Sequence, residues 1–225
     1  MNLSNAKIYL ICTIATLLTL HLPAHAQEDI VVTPANDTLA KPQLFMSTKL
    51  AGSSFDDRIM IRFADNRTPR KTNFYYFMSK ANIYGDALLP AGLLIGGAIG
   101  NNKAMRQNAF YVASSSALSF AAIWLIKQVV RRPRPFRGNF RVFPVYIAGD
   151  YSFPSGHASS SVSTATALSL AYPKWYVIAP SIFWAGTVSY SRMYLGLHYP
   201  SDIAVGSLIG AGTSVYFNGI RKRVQ

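Results

Sequence analysis

The chain has 225 residues, half of them hydrophobic, yet it carries a formal charge of +13 and a pI near 10.0. So apolar a chain argues against an ordinary soluble domain, and so basic a chain calls for an anionic surface or substrate. Cys12 is its only cysteine, which excludes a disulfide scaffold and a thiolate metal site.

At the N-terminus, Lys7 precedes an apolar run from Ile8 to Leu22, and Ala24-His25-Ala26 gives a small-x-small site before Gln27. This reads as a secretory signal over residues 1–26, with a retained anchor helix as the alternative. Removal of the signal would leave His157 and His198 as the only histidines.

Residues 27–82 form a polar, exported segment that holds Glu28, Asp29, Asp37, Asp56, Asp57 and Asp65. Its stretch from Ser54 to Lys80 mixes Ile59, Ile61, Phe63, Phe74, Phe77 and Met78 with charges, which predicts short surface helices. From Ala87 onward the composition changes. Apolar runs at Ala87–Gly100, Ala109–Ile126, His157–Tyr172, Tyr176–Tyr190 and Ile203–Gly219 predict five helices. Their Ala, Gly and Ser content suits close packing in a bilayer, although several are short for a full span. The expected fold is therefore all-α: a membrane-embedded bundle over residues 83–219, with about five transmembrane helices after the signal and a basic cytoplasmic tail over 220–225.

Charge supplies a check on topology. With 27–82 exported, Lys103, Arg106, Lys174, Arg221, Lys222 and Arg223 fall on the cytoplasmic side, as the positive-inside rule expects. Residues 127–156 and 191–202 fall on the other side and break that rule with Lys127, Arg131, Arg132, Arg134, Arg137, Arg141 and Arg192. Exported cations in such number need an anion.

Three segments carry the chemistry. Lys127 to Pro135 presents arginines stiffened by prolines, suited to phosphate oxygens; Arg132 and Arg134 each precede a proline. Pro154-Ser155-Gly156-His157 reads as a turn into a helix, with Ser155 at the N-cap and free N–H groups able to hold an anion. In the third segment Arg192 precedes His198, and Asp202 lies about one turn further on. A carboxylate there can hold one imidazole nitrogen and leave the other free to attack. Beyond Asp86 the only acids are Asp150 and Asp202, against thirteen Lys and Arg.

Taken in order, Lys127-x6-Arg134-Pro135, Pro154-Ser155-Gly156-His157 and Ser191-Arg192-x5-His198-x3-Asp202 resemble the three-part signature of the type 2 phosphatidic acid phosphatase family. That superfamily includes bacterial acid phosphatases and vanadium haloperoxidases. The resemblance implies a membrane lipid phosphatase with His198 as nucleophile, Asp202 orienting it and His157 as general acid and base. Lys127, Arg134, Ser155, Gly156 and Arg192 would bind the phosphate. It further implies no metal and no cofactor, with a lipid phosphate and the bilayer as partners, no nucleic acid and no obligate protein partner. The expected location is a bacterial inner membrane with the site facing the periplasm. Candidate substrates are undecaprenyl diphosphate, a lipid A phosphate, phosphatidylglycerophosphate and phosphatidate. A vanadium-dependent haloperoxidase and a non-catalytic lipid-binding protein are the alternatives. Membrane members of the family usually have six helices, against five counted here.

Overall fold

The computed structural model describes residues 54–224. The signal or anchor over 1–26 and the stretch 27–53 lie outside the described residues. Within them the chain forms α1 (Phe55–Asp65), α2 (Pro69–Ile99), α3 (Lys103–Val130), the single turn α4 (Pro135–Gly138), α5 (Gly156–Ala171), α6 (Trp175–Tyr194) and α7 (Pro200–Val224). The five predicted apolar helices are all present; four extend into flanking residues, whereas α5 keeps the predicted length and is shifted by one residue.

Local chemistry sets most of the starts. The Ser54 hydroxyl accepts from the N–H of Asp57 at 3.1 Å, and Asp56 and Asp57 fill the first turn of α1. Asn102 caps α3 through the N–H of Met105 at 3.0 Å, and Ser155 caps α5. Proline stands at the first position of α2 and of α7, where a missing N–H costs nothing.

Two boundaries differ from the sequence reading. α2 begins at Pro69 and runs unbroken through residue 83, so what looked like short surface helices from 69 onward is the first part of one long rod. Polar residues of its first half face other helices, which hides the apolar signal. The last predicted helix, Ile203–Gly219, also runs further than its apolar run. α7 continues to Val224, and Arg221 turns back to Asn108 Oδ1 at 2.8 Å and to the Leu170 carbonyl at 3.0 Å.

Among the described residues, three segments are long and apolar enough to cross a membrane: Pro69–Ile99, Lys103–Gly138 and Pro200–Arg223. α5 has 16 residues and sits at the centre, packed against α3, α6 and α7. Its buried residues are Ala158, Ser159, Ser161, Ser163, Thr164, Ala165 and Ala167, small enough to let neighbouring backbones approach. The hydroxyls are paired across helices: Ser163 with Ser214 at 3.0 Å, and Thr164 with Ser116 at 3.1 Å and with Asp86 at 3.1 Å. On the α7 side the approach needs glycine. A Cβ on Gly206 would stand 2.5 Å from the Ser155 carbonyl oxygen, and one on Gly210 would stand 2.1 Å from that of Ser159. This contact ties the start of α5 to the start of α7, where the signature residues lie.

Candidate active site

The end of α3, the start of α5, the end of α6 and the start of α7 meet at one end of the bundle, under the connection between α3 and α5. There the structure gathers Lys127, Arg134, Ser155, Gly156, His157, Arg192, His198 and Asp202. The topology explains the meeting, since alternate helices of an up-and-down bundle present opposite termini to the same end.

Lys127 lies in the last turn of α3, and its side chain is buried. Its Nζ donates to the Tyr151 carbonyl and stands 2.8 Å from Asp150 Oδ2. The helix then stops at Arg131, which adopts a left-handed conformation with φ 48°. Arg134, 3% exposed, donates from Nε to the Asp150 carbonyl at 3.0 Å and from Nη1 to the Leu197 carbonyl at 2.8 Å. Its Nη2 pairs with Asp150 Oδ1, and Nη1 also lies 3.2 Å from His198 Nε2.

That last contact fixes a tautomer. Guanidinium has donors only, so Nε2 of His198 must be the acceptor and the ring proton sits on Nδ1. Burial, followed by the charges of Arg134, Arg192 and Lys127, holds the imidazole well below its usual range, so the ring is neutral. Nδ1 faces Asp202 Oδ2 at 3.6 Å, longer than a hydrogen bond, and has no other partner. The turn that delivers His198 depends on Gly196, whose φ of +80° lies in the left-handed region; a Cβ there would meet Arg67 Nη2 at 2.6 Å.

Asp202 is fully buried, and its carboxylate is well supplied with donors. Oδ2 accepts from the Tyr199 N–H at 2.8 Å and from the Ser152 hydroxyl, while Oδ1 accepts from Arg132 Nη1 at 2.7 Å. The two arginines that the sequence left as alternatives make different contacts. Arg134 contacts His198 at Nε2, whereas Arg132 contacts Asp202 at Oδ1.

Arg192 is 2% exposed and enters from the end of α6. Its Nη1 donates to the Ser79 hydroxyl and to the Tyr146 hydroxyl at 2.5 Å, and its buried Nε has no partner. Ser155 is fully buried; its hydroxyl accepts from the Ala158 N–H at 3.4 Å, and its own N–H donates to the Asp202 carbonyl at 3.1 Å. His157 follows in the first turn of α5, half-buried, within electrostatic range of Arg192, His198, Arg134 and Asp150.

Three contributors lie outside the motifs read from the sequence. Ser79 and Tyr146 hold Arg192 but belong to no motif. Asp150 stood out only as one of two late acids. Burial alone would raise its carboxyl, but Arg134 and Lys127 outweigh that and hold it well below the usual carboxylate range. It therefore sits ionised between two cations.

Buried cations thus stand around a neutral imidazole, in a bundle with helices long and apolar enough to cross a membrane, and such an arrangement is chemically suited to an anion. Residues 108–224 match the model of the PAP2 superfamily, and the chain belongs to that superfamily. It is 45% identical over 92 residues to the undecaprenyl-diphosphatase of Sulfolobus acidocaldarius, covering 39% of this chain and 43% of that protein. It is 42% identical over 71 residues to the lipid A 4'-phosphatase of Bacteroides thetaiotaomicron, covering 31% of this chain and 32% of that protein. It is 38% identical over 120 residues to the decaprenylphosphoryl-5-phosphoribose phosphatase of Mycolicibacterium smegmatis, covering 53% of this chain and 61% of that protein. The matches thus span about a third to three-fifths of these relatives.

Two solved structures share the fold. Aquifex aeolicus LpxE superposes with a TM-score of 0.62 at 23% identity, covering 75% of this chain and 97% of that one. The transmembrane PAP2 type phosphatidylglycerolphosphate phosphatase of Bacillus subtilis superposes at 0.65 and 17% identity, covering 98% and 96%.

Proposed function

We propose that this protein removes phosphate from a membrane lipid through a phosphohistidine formed on His198. One observation carries the reading: the lone pair on Nε2 of neutral His198 faces a guanidinium, Arg134, that is itself suited to phosphate oxygens. A phosphoryl group bound beside His198 would meet the nucleophile and the clamp together. The lipid class follows from the helices able to cross a membrane and from the names of the relatives, each of which acts on a phosphate at the head of an amphiphile.

In the first step Nε2 of His198 bonds to phosphorus as the bond from phosphorus to the leaving oxygen breaks. Burial and the charge of Arg192 hold His157 well below the usual imidazole range; the phosphate's negative charge favours its protonated form, and that proton goes to the leaving oxygen. Lys127, Arg134 and Arg192, with the N–H groups at the start of α5, hold the non-bridging oxygens where charge gathers in the transition state. In the second step His157 takes a proton from water, the water oxygen bonds to phosphorus, and the bond to Nε2 breaks to release inorganic phosphate. Asp202 stabilises the positive charge on the ring in between. These residues do this without a metal or cofactor, and the site faces the periplasm of a bacterial inner membrane, where exported cations would meet lipid phosphates.

The test is phosphate release by protein purified in detergent, with EDTA present. The panel is undecaprenyl diphosphate, lipid A, phosphatidylglycerophosphate and phosphatidate, with His198→Ala alongside. Release from at least one lipid, absent in the variant and indifferent to EDTA, is expected. No release from any of them overturns the reading.

A further inference from the structure

The carboxylate of Asp56 comes from α1, well outside the stretch that matches the superfamily, and it reaches the back of the active site. Asp56 Oδ2 accepts from Arg132 Nη2 at 2.8 Å and from the Ser201 hydroxyl, and Oδ1 accepts from the Ser201 N–H at 3.2 Å. Ser201 is the second residue of α7, so Asp56 supplies from another helix the anion that a free helix N-terminus favours. The other arm of Arg132 goes to Asp202: Nη1 donates to Asp202 Oδ1 at 2.7 Å and to the Ser201 hydroxyl at 2.7 Å. The guanidinium also lies over the Tyr199 ring, 4.0 Å from its centroid. One arginine is thus divided between two carboxylates, both shielded from solvent: the Asp56 side chain is 14% exposed and that of Asp202 is 0% exposed.

We propose that Asp56 is a positioning residue for the reaction, acting through Arg132 on Asp202. The physical reason is the preference of a guanidinium for gripping a carboxylate with two parallel hydrogen bonds. If Arg132 had only Asp202 to bind, both carboxylate oxygens would be drawn toward it. Asp56 occupies Nη2, so Asp202 receives a single bond at Oδ1. Oδ2 is left to Tyr199, Ser152 and the Nδ1 side of His198. The N-terminal helix is then a working part of the phosphatase. This inference rests on the phosphohistidine reading above and adds a residue to it.

The experiment compares wild type, Asp56→Ala, Asp56→Glu, Arg132→Gln and the Asp56→Ala/Arg132→Gln double variant in detergent, on whichever lipid wild type hydrolyses. Asp56→Ala is expected to lower kcat about tenfold with KM within about twofold, as for the loss of one contact in a coupled network. The acid limb of its pH profile should move to lower pH, because the ring loses its nearby anion. Asp56→Glu should recover most of the rate. Adding Asp56→Ala to Arg132→Gln should cost nothing further. Full additivity in the double variant, or an Asp56→Ala enzyme with wild-type kcat and an unmoved acid limb, overturns the proposal. A failure of the phosphatase reading looks different, since wild type itself would then be inactive. In that case the His198 ring signals in nitrogen-15 spectra, assigned by difference against His198→Ala, still decide. A titration midpoint unchanged by Asp56→Ala overturns the proposal, and a lowered one supports it.

Discussion

Arg134 and His198 are joined by a hydrogen bond of 3.2 Å between Nη1 and Nε2, so the atom that would attack phosphorus is covered by a group that would bind the phosphate. The two roles are compatible because a guanidinium presents several N–H groups in a fixed plane. When a phosphoryl oxygen takes over the donor, the lone pair of Nε2 is freed toward phosphorus. A lysine at this position would keep the charge but lose the fork that also holds Asp150 and the Leu197 carbonyl. Arg134→Lys is therefore expected to lower kcat/KM by about two to three powers of ten, comparable to loss of an oxyanion donor. Phosphate-release kinetics would show this, and a loss of less than about threefold would place the phosphate elsewhere.

Asp150 gives the opposite expectation. Its carboxylate bridges Lys127 and Arg134, the same cations that would clamp phosphate oxygens. An incoming anion must compete with it. Asp150→Asn is expected to strengthen inhibition by inorganic phosphate about tenfold, the equivalent of about 1.4 kcal/mol. The Ki for phosphate in wild type and variant measures it, and equal constants would mean that Asp150 stays in place when phosphate binds. The variant should also lose acid-sensitive stability. The native carboxyl is held below its usual range, so its contribution is present above the ordinary carboxylate pKa and disappears as pH falls through the lowered value.

His198 predicts a second pH effect on stability, at milder acidity. Burial and three neighbouring cations hold its pKa well below the ordinary imidazole value. At pH 7.5 the ring is neutral in the folded and unfolded chains, and it contributes no pH dependence. Below about 6.5 the unfolded chain takes up a proton that the folded ring refuses, so stability falls with falling pH. Thermal unfolding in detergent between pH 7.5 and 5.5 should show a smaller loss for His198→Ala than for wild type. Parallel slopes would mean that the ring accepts its proton in the fold.

Much of this site was legible in the sequence, for reasons that can be named. Spacing on a helix is rigid, so Lys127, Arg192 and Asp202 could be placed relative to helix ends, and the proline-flanked arginines announced a stiff loop. The order Pro154-Ser155-Gly156-His157 announced a capped helix start. What stayed hidden lies in contacts between elements distant in the chain. Asp150 sits on an irregular connection with no period to set its direction. Ser79 and Tyr146 meet Arg192 across 113 and 46 residues, and Asp56 meets Arg132 across 76. The start of α2 was missed for a related cause: Ser79, Asn82 and Asp86 face the bundle through hydrogen bonds, so their polarity read as exposure to solvent.

The contact between α5 and α7 permits the most direct test of the packing. Gly210 and Gly212 lie two residues apart on α7, in the same helical conformation, and differ in what surrounds them. A Cβ on Gly210 would fall 2.1 Å from the Ser159 carbonyl oxygen and 3.0 Å from the Ser163 nitrogen, both backbone atoms that cannot swing aside. A Cβ on Gly212 would meet nothing within 4 Å. Helix propensity alone favours alanine at both by about 0.5–1 kcal/mol. At Gly212 that gain should survive, and Gly212→Ala is expected to leave the unfolding temperature unchanged or slightly raised. At Gly210 the two helices must separate, and overpacking of this kind costs about 1–3 kcal/mol or more. Because α5 and α7 carry Ser155, His157 and Asp202, Gly210→Ala should also lose phosphate release at temperatures where it remains folded. Thermal unfolding and activity measured on the pair would sink this account of the packing if the two variants behaved alike.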